Sequence, residues 1–274
     1  MASARGPVGR ITRGTTHTNR LRRIDRWITT RPELRRLEDP LVVDLGYGAS
    51  GVTALELHAR LARARPDVEV RGLEIDPERV ERARTQLAEV RAGRTAFAAD
   101  ARVDFSRGGF EVPLPGGRPA GIIRAMNVLR QYDESDVAAA WAQMAGRLAP
   151  GGLLLEGTCD ERGRVCAWIA MDAAALPRTL TLSLRLTDLE TPLVAAERLP
   201  KALIHRNVPG EGVHGFLADL DAEWERAAGL GAFGPTQRWV AAVAAVAARG
   251  WPLREGRRAR LGEITVAWEA VAPR

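Results

Sequence analysis

The chain has 274 residues, 46% hydrophobic and 27% charged, with a net charge of +6. That length allows one large α/β domain or two small ones, with a sizeable core. No stretch approaches the roughly 18–20 unbroken apolar residues of a membrane-spanning helix, the basic N-terminus lacks the apolar core of a secretory signal, and Cys159 and Cys166 are too few for a disulfide framework or a zinc cluster, so a cytoplasmic protein is expected.

The charge excess is local. Residues 1–40 hold ten arginines against four acids, a difference of six that equals the whole-chain excess. A basic arm suggests an anionic partner such as RNA. The chain, however, has one lysine, Lys201, so 39 of its 40 basic residues are arginine. So extreme a ratio points to compositional bias and a solvated helix surface. Residues 1–14 read as a loosely attached segment. From Thr18, an N-cap residue type, Leu21, Ile24, Trp27 and Ile28 share one helical face.

The stretch LVVDLGYGASG (41–51) organises the rest of the chain. Leu41, Val42 and Val43 predict a buried parallel strand, ending in Asp44 and a turn with Gly46, Gly48 and Gly51. A helical pattern succeeds it, with Leu57 and Leu61 on one stripe and Pro66 beyond its end. Strand, glycine turn and helix form a geometry in which backbone approaches a ligand closely. Read as G-x-G-x-x-G, the turn fits a dinucleotide pyrophosphate. Read as D-x-G-x-G, it places a carboxylate beside the ligand, favourable for a cation and repulsive for a pyrophosphate.

VEVRGLEID (68–76) predicts a second strand ending in acids, and Asp76-Pro77-Glu78 then caps a helix reaching about Leu87. Glu74 is placed to accept from both hydroxyls of a ribose. TAFAAD (95–100) predicts the third strand, 106–121 a Gly- and Pro-rich loop, and AGIIRAMNVL (120–129) a fourth buried strand. Asp133 opens a helix with Val137, Trp141, Met144 and Leu148 on one face. Ala149-Pro150-Gly151-Gly152 stops it, and LLLEGT (153–158) is the fifth strand.

The D-x-G-x-G turn, G-L-E-I-D-P at 72–77, and the succession strand, N-V-L, helix, L-x-P-G-G, strand resemble the class I S-adenosylmethionine-dependent methyltransferases. The turn departs from their fuller pattern at Ser50, where a further glycine would fall. The resemblance covers roughly residues 40–160 and the last strand, and it identifies no subfamily. It implies that Asp44, Gly46, Tyr47 and Gly48 wrap the amino-acid end of S-adenosylmethionine. It further implies Glu74 on the ribose, Ile75 against adenine, Asp100 with Ala101 at the adenine amino group, and Asn127 at the amino-acid end. The leading helical segment would lie over the ligand mouth, with Thr15, Thr16, Asn19 and Arg20 facing it.

Beyond residue 158, VCAWIAMDA (165–173) fits a strand or a short helix, and TLTLSLRL (179–186) alternates as a half-buried strand. Residues 190–250 read as helical, with stripes at Val213, Phe216, Leu217, Leu220, Trp224 and at Trp239, Val243, Val246; EITVAWEAV (263–271) is the last strand. The expected fold is therefore α/β: a Rossmann-like, seven-stranded, mostly parallel sheet with an antiparallel last strand and helices on both faces. A basic helical arm (1–40) would precede a domain (41–274) carrying a helical insertion at about 187–252.

The four histidines lack metal-ligand spacing, and no metal is expected. Methyl transfer needs collinear placement more than a base, so catalytic residues are hard to name. His205, Tyr132 and Asp160 are the candidates, the last two at strand ends. Asn19, Arg20, Lys201 and Asn207 are candidates for binding an unidentified acceptor, with a small molecule preferred to RNA. Two other classes stay open, an NAD-dependent oxidoreductase and a non-catalytic RNA-binding protein with the same fold. Oligomeric state is not legible.

Overall fold

A computed structural model describes residues 6–274. Two short helices come first, α1 (Arg22–Ile28) and α2 (Pro32–Arg36). Five strands then alternate with helices: β1 (Leu41–Leu45), α3 (Val52–Leu61), β2 (Glu69–Glu74), α4 (Pro77–Arg91), β3 (Val103–Arg107), β4 (Ala120–Met126), α5 (Glu134–Ala145) and β5 (Leu148–Cys159). They pair in parallel in the order β3-β2-β1-β4-β5. The chain runs outward from β1 to β3 and then returns to the other side of β1. The crevice outside the carboxyl ends of β1 and β4 is thus a topological switch point, where such sheets bind ligands.

The second half departs from the expectation. β6 (Val165–Met171) folds straight back on β5, and β7 (Pro177–Leu184) folds back on β6, so three consecutive strands form a meander. A helical block with α6 (Lys201–Ile204), α7 (Gly212–Arg226) and α8 (Pro235–Ala248) comes next. The short β8 (Leu253–Arg254) and then β9 (Glu263–Ala267) complete a nine-stranded sheet ending β7-β9-β8. Seven strands with one antiparallel member is therefore corrected to nine, the last four joined antiparallel. The helical block does sit before the last strands, between β7 and β8.

The third strand lies elsewhere than expected. Residues 95–100 form no strand and are largely exposed; β3 begins at Val103. β3 is an edge strand with one covered face, so it alternates: Val103 and Phe105 are buried, Asp104 is not. A run of alanines imitates a central strand, whereas the true edge strand carries the period-2 pattern. Asp76 caps α4 as expected, accepting from the N–H groups of Glu78 (2.9 Å) and Arg79 (3.4 Å).

Two cores cover the sheet, one per face. Val42, Ile122 and Leu155 point toward α1, α3 and α4, with Ile24, Trp27, Leu57 and Leu87. Val43, Ile123 and Leu154 point toward α5 and the helical block, with Trp141, Phe216, Trp224 and Trp239. The leading segment is not an appendage, because Trp27 and Ile28 are core residues. Residues 8–16 also lie along the sheet rather than loosely. Phe110 N–H donates to the Val8 carbonyl (2.9 Å), and Arg79 donates to the Thr12 carbonyl (2.7 Å). Residues 1–5 of the expected loose segment lie outside the described residues. No helix among the described residues is long and apolar enough to cross a membrane.

Candidate active site

The turn after β1 is shaped for close approach. Gly48 has φ +88°, and a Cβ there would sit 2.5 Å from Thr16 Oγ1 and 2.9 Å from the Gly14 carbonyl oxygen. Residues 14–16 close over the turn: Ala49 N–H donates to the Gly14 carbonyl (2.7 Å), and Thr16 Oγ1 to the Tyr47 carbonyl (2.9 Å). Gly51 serves a different end. Its missing Cβ makes room for the Phe105 ring, and its N–H donates to Gln86 Oε1 (2.9 Å).

Two acids end the strands flanking this turn. Glu74, 3% exposed, accepts from Gly48 N–H (3.1 Å) through Oε2, and from Ile75 N–H (2.9 Å) and Asp76 N–H (3.3 Å) through Oε1. Oε2 thus keeps a free lone pair at the mouth of the turn. Beside it, between Ile75, Gly109, Phe110 and Val128, lies a cleft of only about 20 Å³. Residues 9–12 narrow that cleft: Arg10 N–H donates to the Tyr132 hydroxyl, and a Cβ on Gly9 would meet Ile75 Cδ1 at 2.8 Å.

Asp44 is held otherwise. Its Oδ2 accepts from Thr53 Oγ1 (2.9 Å) and Arg124 Nη2 (2.7 Å), and its Oδ1 from Arg124 Nε (3.1 Å). Arg124 lies in mid-strand on β4 with no exposure, and it also pairs with Asp25 of α1. Arg60 of α3 pairs with Asp25 (2.6 Å) and Glu56 (3.2 Å). Burial opposes the Arg124 charge, but Asp44 and Asp25 hold its pKa above the usual guanidinium value. Burial pushes the Asp25 carboxyl up, against Arg124 and Arg60. Asp44 therefore shares one guanidinium with Asp25, and the two arginines face three carboxylates, so the cluster under the cavity keeps a net negative charge.

Above Asp44 opens a cavity of about 670 Å³. Its walls include the turn from Gly46 to Gly48, residues 12–15 with Arg20, Asn127 at the end of β4, Asp160 after β5, and Arg198 from the helical block. Asn127 has φ +63° and clamps β5 to β4: its Oδ1 accepts from Cys159 N–H (2.9 Å), and its Nδ2 donates to Cys159 Sγ (3.2 Å). Asp160 Oδ1 accepts from the N–H groups of Arg164 (2.6 Å) and Val165 (3.2 Å), fixing the β5–β6 turn and leaving Oδ2 free.

Asp44, Gly46, Tyr47, Gly48, Asn127, Arg20 and Asp160 thus converge on one cavity, with Glu74 and Ile75 on the adjoining cleft. Arg20 donates to the carbonyls of Asp160 (3.0 Å) and Cys159 (3.3 Å) and so closes a wall. Other candidates go elsewhere. Asp100 and Ala101 lie beside Leu41 and Glu69, where β1 and β2 begin, at the far end of the sheet; misplacing β3 misplaces them. Gly109 and Phe110, after the true β3, take their place beside Glu74.

Asn19 rivets α1 to α3, its N–H donating to Glu56 (2.8 Å) and its Oδ1 accepting from Arg60 (2.6 Å). His205 and Lys201, 3.3 Å apart on α6, lie outside the cavity wall, as does Asn207. Tyr132 also lies off the cavity, its hydroxyl clasping Arg10. Sequence reasoning passes over Arg124, Arg130 and Arg198. A lone charge inside the apolar run AGIIRAM is the available signal for the first; the other two carry none.

A doubly wound sheet with a ligand-sized crevice at its switch point is the class that this geometry defines. No family model matches the chain, and no curated protein matches it. Among solved structures it is similar over 44% of its length to mitomycin 7-O-methyltransferase (28% identity, TM-score 0.34, 31% of that chain). It is similar over 51% to magnesium protoporphyrin IX methyltransferase from Synechocystis PCC 6803 with bound S-adenosylhomocysteine (17%, TM-score 0.38, 54% of that chain). Human N-acetylserotonin methyltransferase in complex with S-adenosylmethionine is matched over 51% (25%, TM-score 0.35, 35% of that chain). The chain spans about a third to a half of the length of these proteins.

Proposed function

We propose that this chain binds S-adenosylmethionine and transfers its methyl group to a small-molecule acceptor. The observation that carries the reading is Glu74, whose carboxylate rests on the Gly48 N–H and keeps Oε2 open between the glycine turn and Ile75. A ribose diol suits that oxygen, and Ile75, Gly109 and Phe110 offer an apolar seat for a purine. Asn127 and the turn from Gly46 to Gly48 would hold the amino-acid end. Asp44, which lines the cavity and shares Arg124 with Asp25, would face the ammonium together with carbonyls of the turn. The dinucleotide alternative fits less well, because the N–H groups of Gly48, Ala49 and Gly51 that would cradle a pyrophosphate are all bonded within the protein.

When bound, the cofactor supplies an activated methyl on a sulfonium with a good leaving group. The chain's own contribution is placement and exclusion of water. The cavity falls within the roughly 300–1,000 Å³ of small-molecule pockets, and its acceptor side is formed by β4, β5 and the helical block. The free Oδ2 of Asp160 is placed to take a proton if the acceptor must lose one. The 20 Å³ cleft is too small for a nucleoside, so residues 9–12 lift from Ile75 and Tyr132 when the cofactor enters. An RNA-binding role through the leading arginines is weaker support for function, since Arg20, Arg22, Arg23 and Arg31 are spent on internal contacts.

Calorimetric titration with S-adenosylhomocysteine and with NAD tests the proposal. Micromolar S-adenosylhomocysteine binding is expected, weakened about tenfold or more in Glu74→Gln by loss of a charge-assisted bond worth ~1.5–3 kcal/mol. Tighter binding of NAD, or no adenosyl binding at all, overturns it.

A further inference from the structure

Resting on the assignment of S-adenosylmethionine to this cavity, we propose that Arg130 and Arg198 form an anion subsite in the acceptor half of the cavity, so that the methyl acceptor carries a carboxylate or phosphate group.

Arginine is the commonest charged residue of this chain, so arginines near a cavity mean nothing by themselves. Their partners are informative. Elsewhere about half of the described guanidinium groups are paired: Arg31, Arg60, Arg118, Arg124, Arg178 and Arg258, for example, each sit on a carboxylate. Five arginines line the cavity, at 13, 20, 130, 162 and 198. Among the described residues, none of these five has a carboxylate within ion-pair distance. Arg20 is saturated by backbone carbonyls. Arg13 and Arg162 are exposed, and water satisfies them.

Arg130 and Arg198 differ on both counts. Each is half-buried. The one protein bond of the Arg130 guanidinium is to the Glu197 carbonyl (2.9 Å), and the Arg198 guanidinium has none among the described residues. Burial, and next the neighbouring Arg198, hold the Arg130 guanidinium below its usual pKa, while the field of Glu197 only partly offsets this. Two partly desolvated like charges with no carboxylate in ion-pair contact are unfavourable. Planar guanidinium forks match carboxylate and phosphate oxygens, and bonds between ionised groups are about twice as strong as neutral ones. An arriving anion would relieve the repulsion and fill both forks.

The pair is also built into the frame. Arg130 stands on the 3-10 turn Leu129–Gln131 just past β4. Arg198 ends the 3-10 segment Pro192–Arg198 of the helical block, and its carbonyl accepts from Thr158 Oγ1 near the end of β5. The bond from Arg130 to the Glu197 carbonyl ties the two segments together. Both guanidinium groups therefore stand on the β4–β5 side of the cavity, across from Glu74 on β2. The carboxylate of the cofactor's own amino-acid end is the rival anion, and the test separates the two.

The experiment is a set of titrations on the full chain, wild type and Arg130→Gln, Arg198→Gln and the double variant, with thermal melts as a check of folding. Inorganic pyrophosphate and benzoate are the probes, with and without saturating S-adenosylhomocysteine. Salt-sensitive binding of one probe to the S-adenosylhomocysteine complex is expected, weakened tenfold or more by either substitution. S-adenosylhomocysteine affinity should change by less than about threefold. The tighter probe names the group, phosphate or carboxylate. No probe binding at low ionic strength, or binding indifferent to the substitutions, overturns the subsite. A matching fall in S-adenosylhomocysteine affinity assigns the arginines to the cofactor and overturns it too. Probe binding lost in the variants of a protein that never binds S-adenosylhomocysteine would sustain the subsite and sink the methyltransferase reading alone.

Discussion

The floor and the rim of the cavity use the same side chain in opposite ways. On the floor, Arg124 has no exposure and lies between two carboxylates, Asp25 and Asp44, with Thr53 completing the set. At the rim, Arg130 and Arg198 are half-buried and, among the described residues, have no carboxylate within ion-pair distance. A guanidinium whose charge is matched inside the fold holds structure together. One left unmatched beside a cavity is available to a ligand. Position along the sheet decides which: mid-strand for Arg124, beyond the strand ends for the other two.

The contrast is most exposed to failure at Arg124. Arg124→Leu leaves Asp44 without its cation and Asp25 with Arg60 alone, a change that costs about 3–5 kcal/mol when one partner of a buried pair is removed. For a chain of this size that corresponds to a fall in melting temperature of roughly 5–9 °C. A melting temperature within a degree or two of wild type would mean that the floor network does not hold the fold.

Glu156 on β5 offers the next test, as a buried carboxyl with no basic partner. Neither of its oxygens has a partner at full hydrogen-bond geometry, and burial pushes its pKa from the ordinary 4.5 up to about 8, the nearby Trp141 indole only partly opposing this. The folded state therefore binds this proton more tightly than the unfolded chain does. Its contribution to stability is fully present below about 4.5 and is lost as pH rises toward about 8. Glu156→Gln should be more stable than wild type at pH 9, by on the order of a few kcal/mol, and nearly equal to it at pH 4.5. Urea unfolding at both values measures this, and a gain that did not grow with pH would place a partner on Glu156.

A smaller effect is expected where residues 9–12 lie over the cleft beside Glu74. Tyr132→Phe removes the hydroxyl that clasps Arg10, a loss of about 1 kcal/mol. Trypsin should then cut faster at Arg10 or Arg13, and S-adenosylhomocysteine should bind a few times more tightly. Weaker binding instead would put the Tyr132 hydroxyl in contact with the ligand. The smallest effect belongs to the rim: Arg198→Gln should leave the melting temperature unchanged within about 0.5 kcal/mol of stability. A drop as large as that of Arg124→Leu would erase the distinction between rim and floor.

The first half of the molecule is legible in sequence because its signals are local. A strand of branched residues, an acid-glycine turn and the Asp76-Pro77 cap each depend on neighbours in sequence, and each lies where the pattern places it. The residues from Asp44 to Gly48, with Glu74 and Ile75, which the structure brings to one cavity and its adjoining cleft, are found through those turns. The third strand fails because six small residues can imitate a buried strand, while an edge strand hides in five alternating ones. Asp100 and Ala101 fall with it.

In the second half, strands and helical stripes are readable but their neighbours are not. Alternation marks 179–186 as a strand without saying whether it pairs with β6, β9 or an edge, and register there is set by sheet contacts far apart in sequence. The roles of side chains divide the same way. Charge and spacing in the sequence determined that a ligand corner lies after β1, because backbone conformation and glycine placement are local properties. Only the tertiary structure decided which arginines are matched, that Asn19 is a rivet, and that Lys201 and His205 stand outside the cavity. Whether a charge is free depends on partners brought in from distant segments, and no local pattern records them.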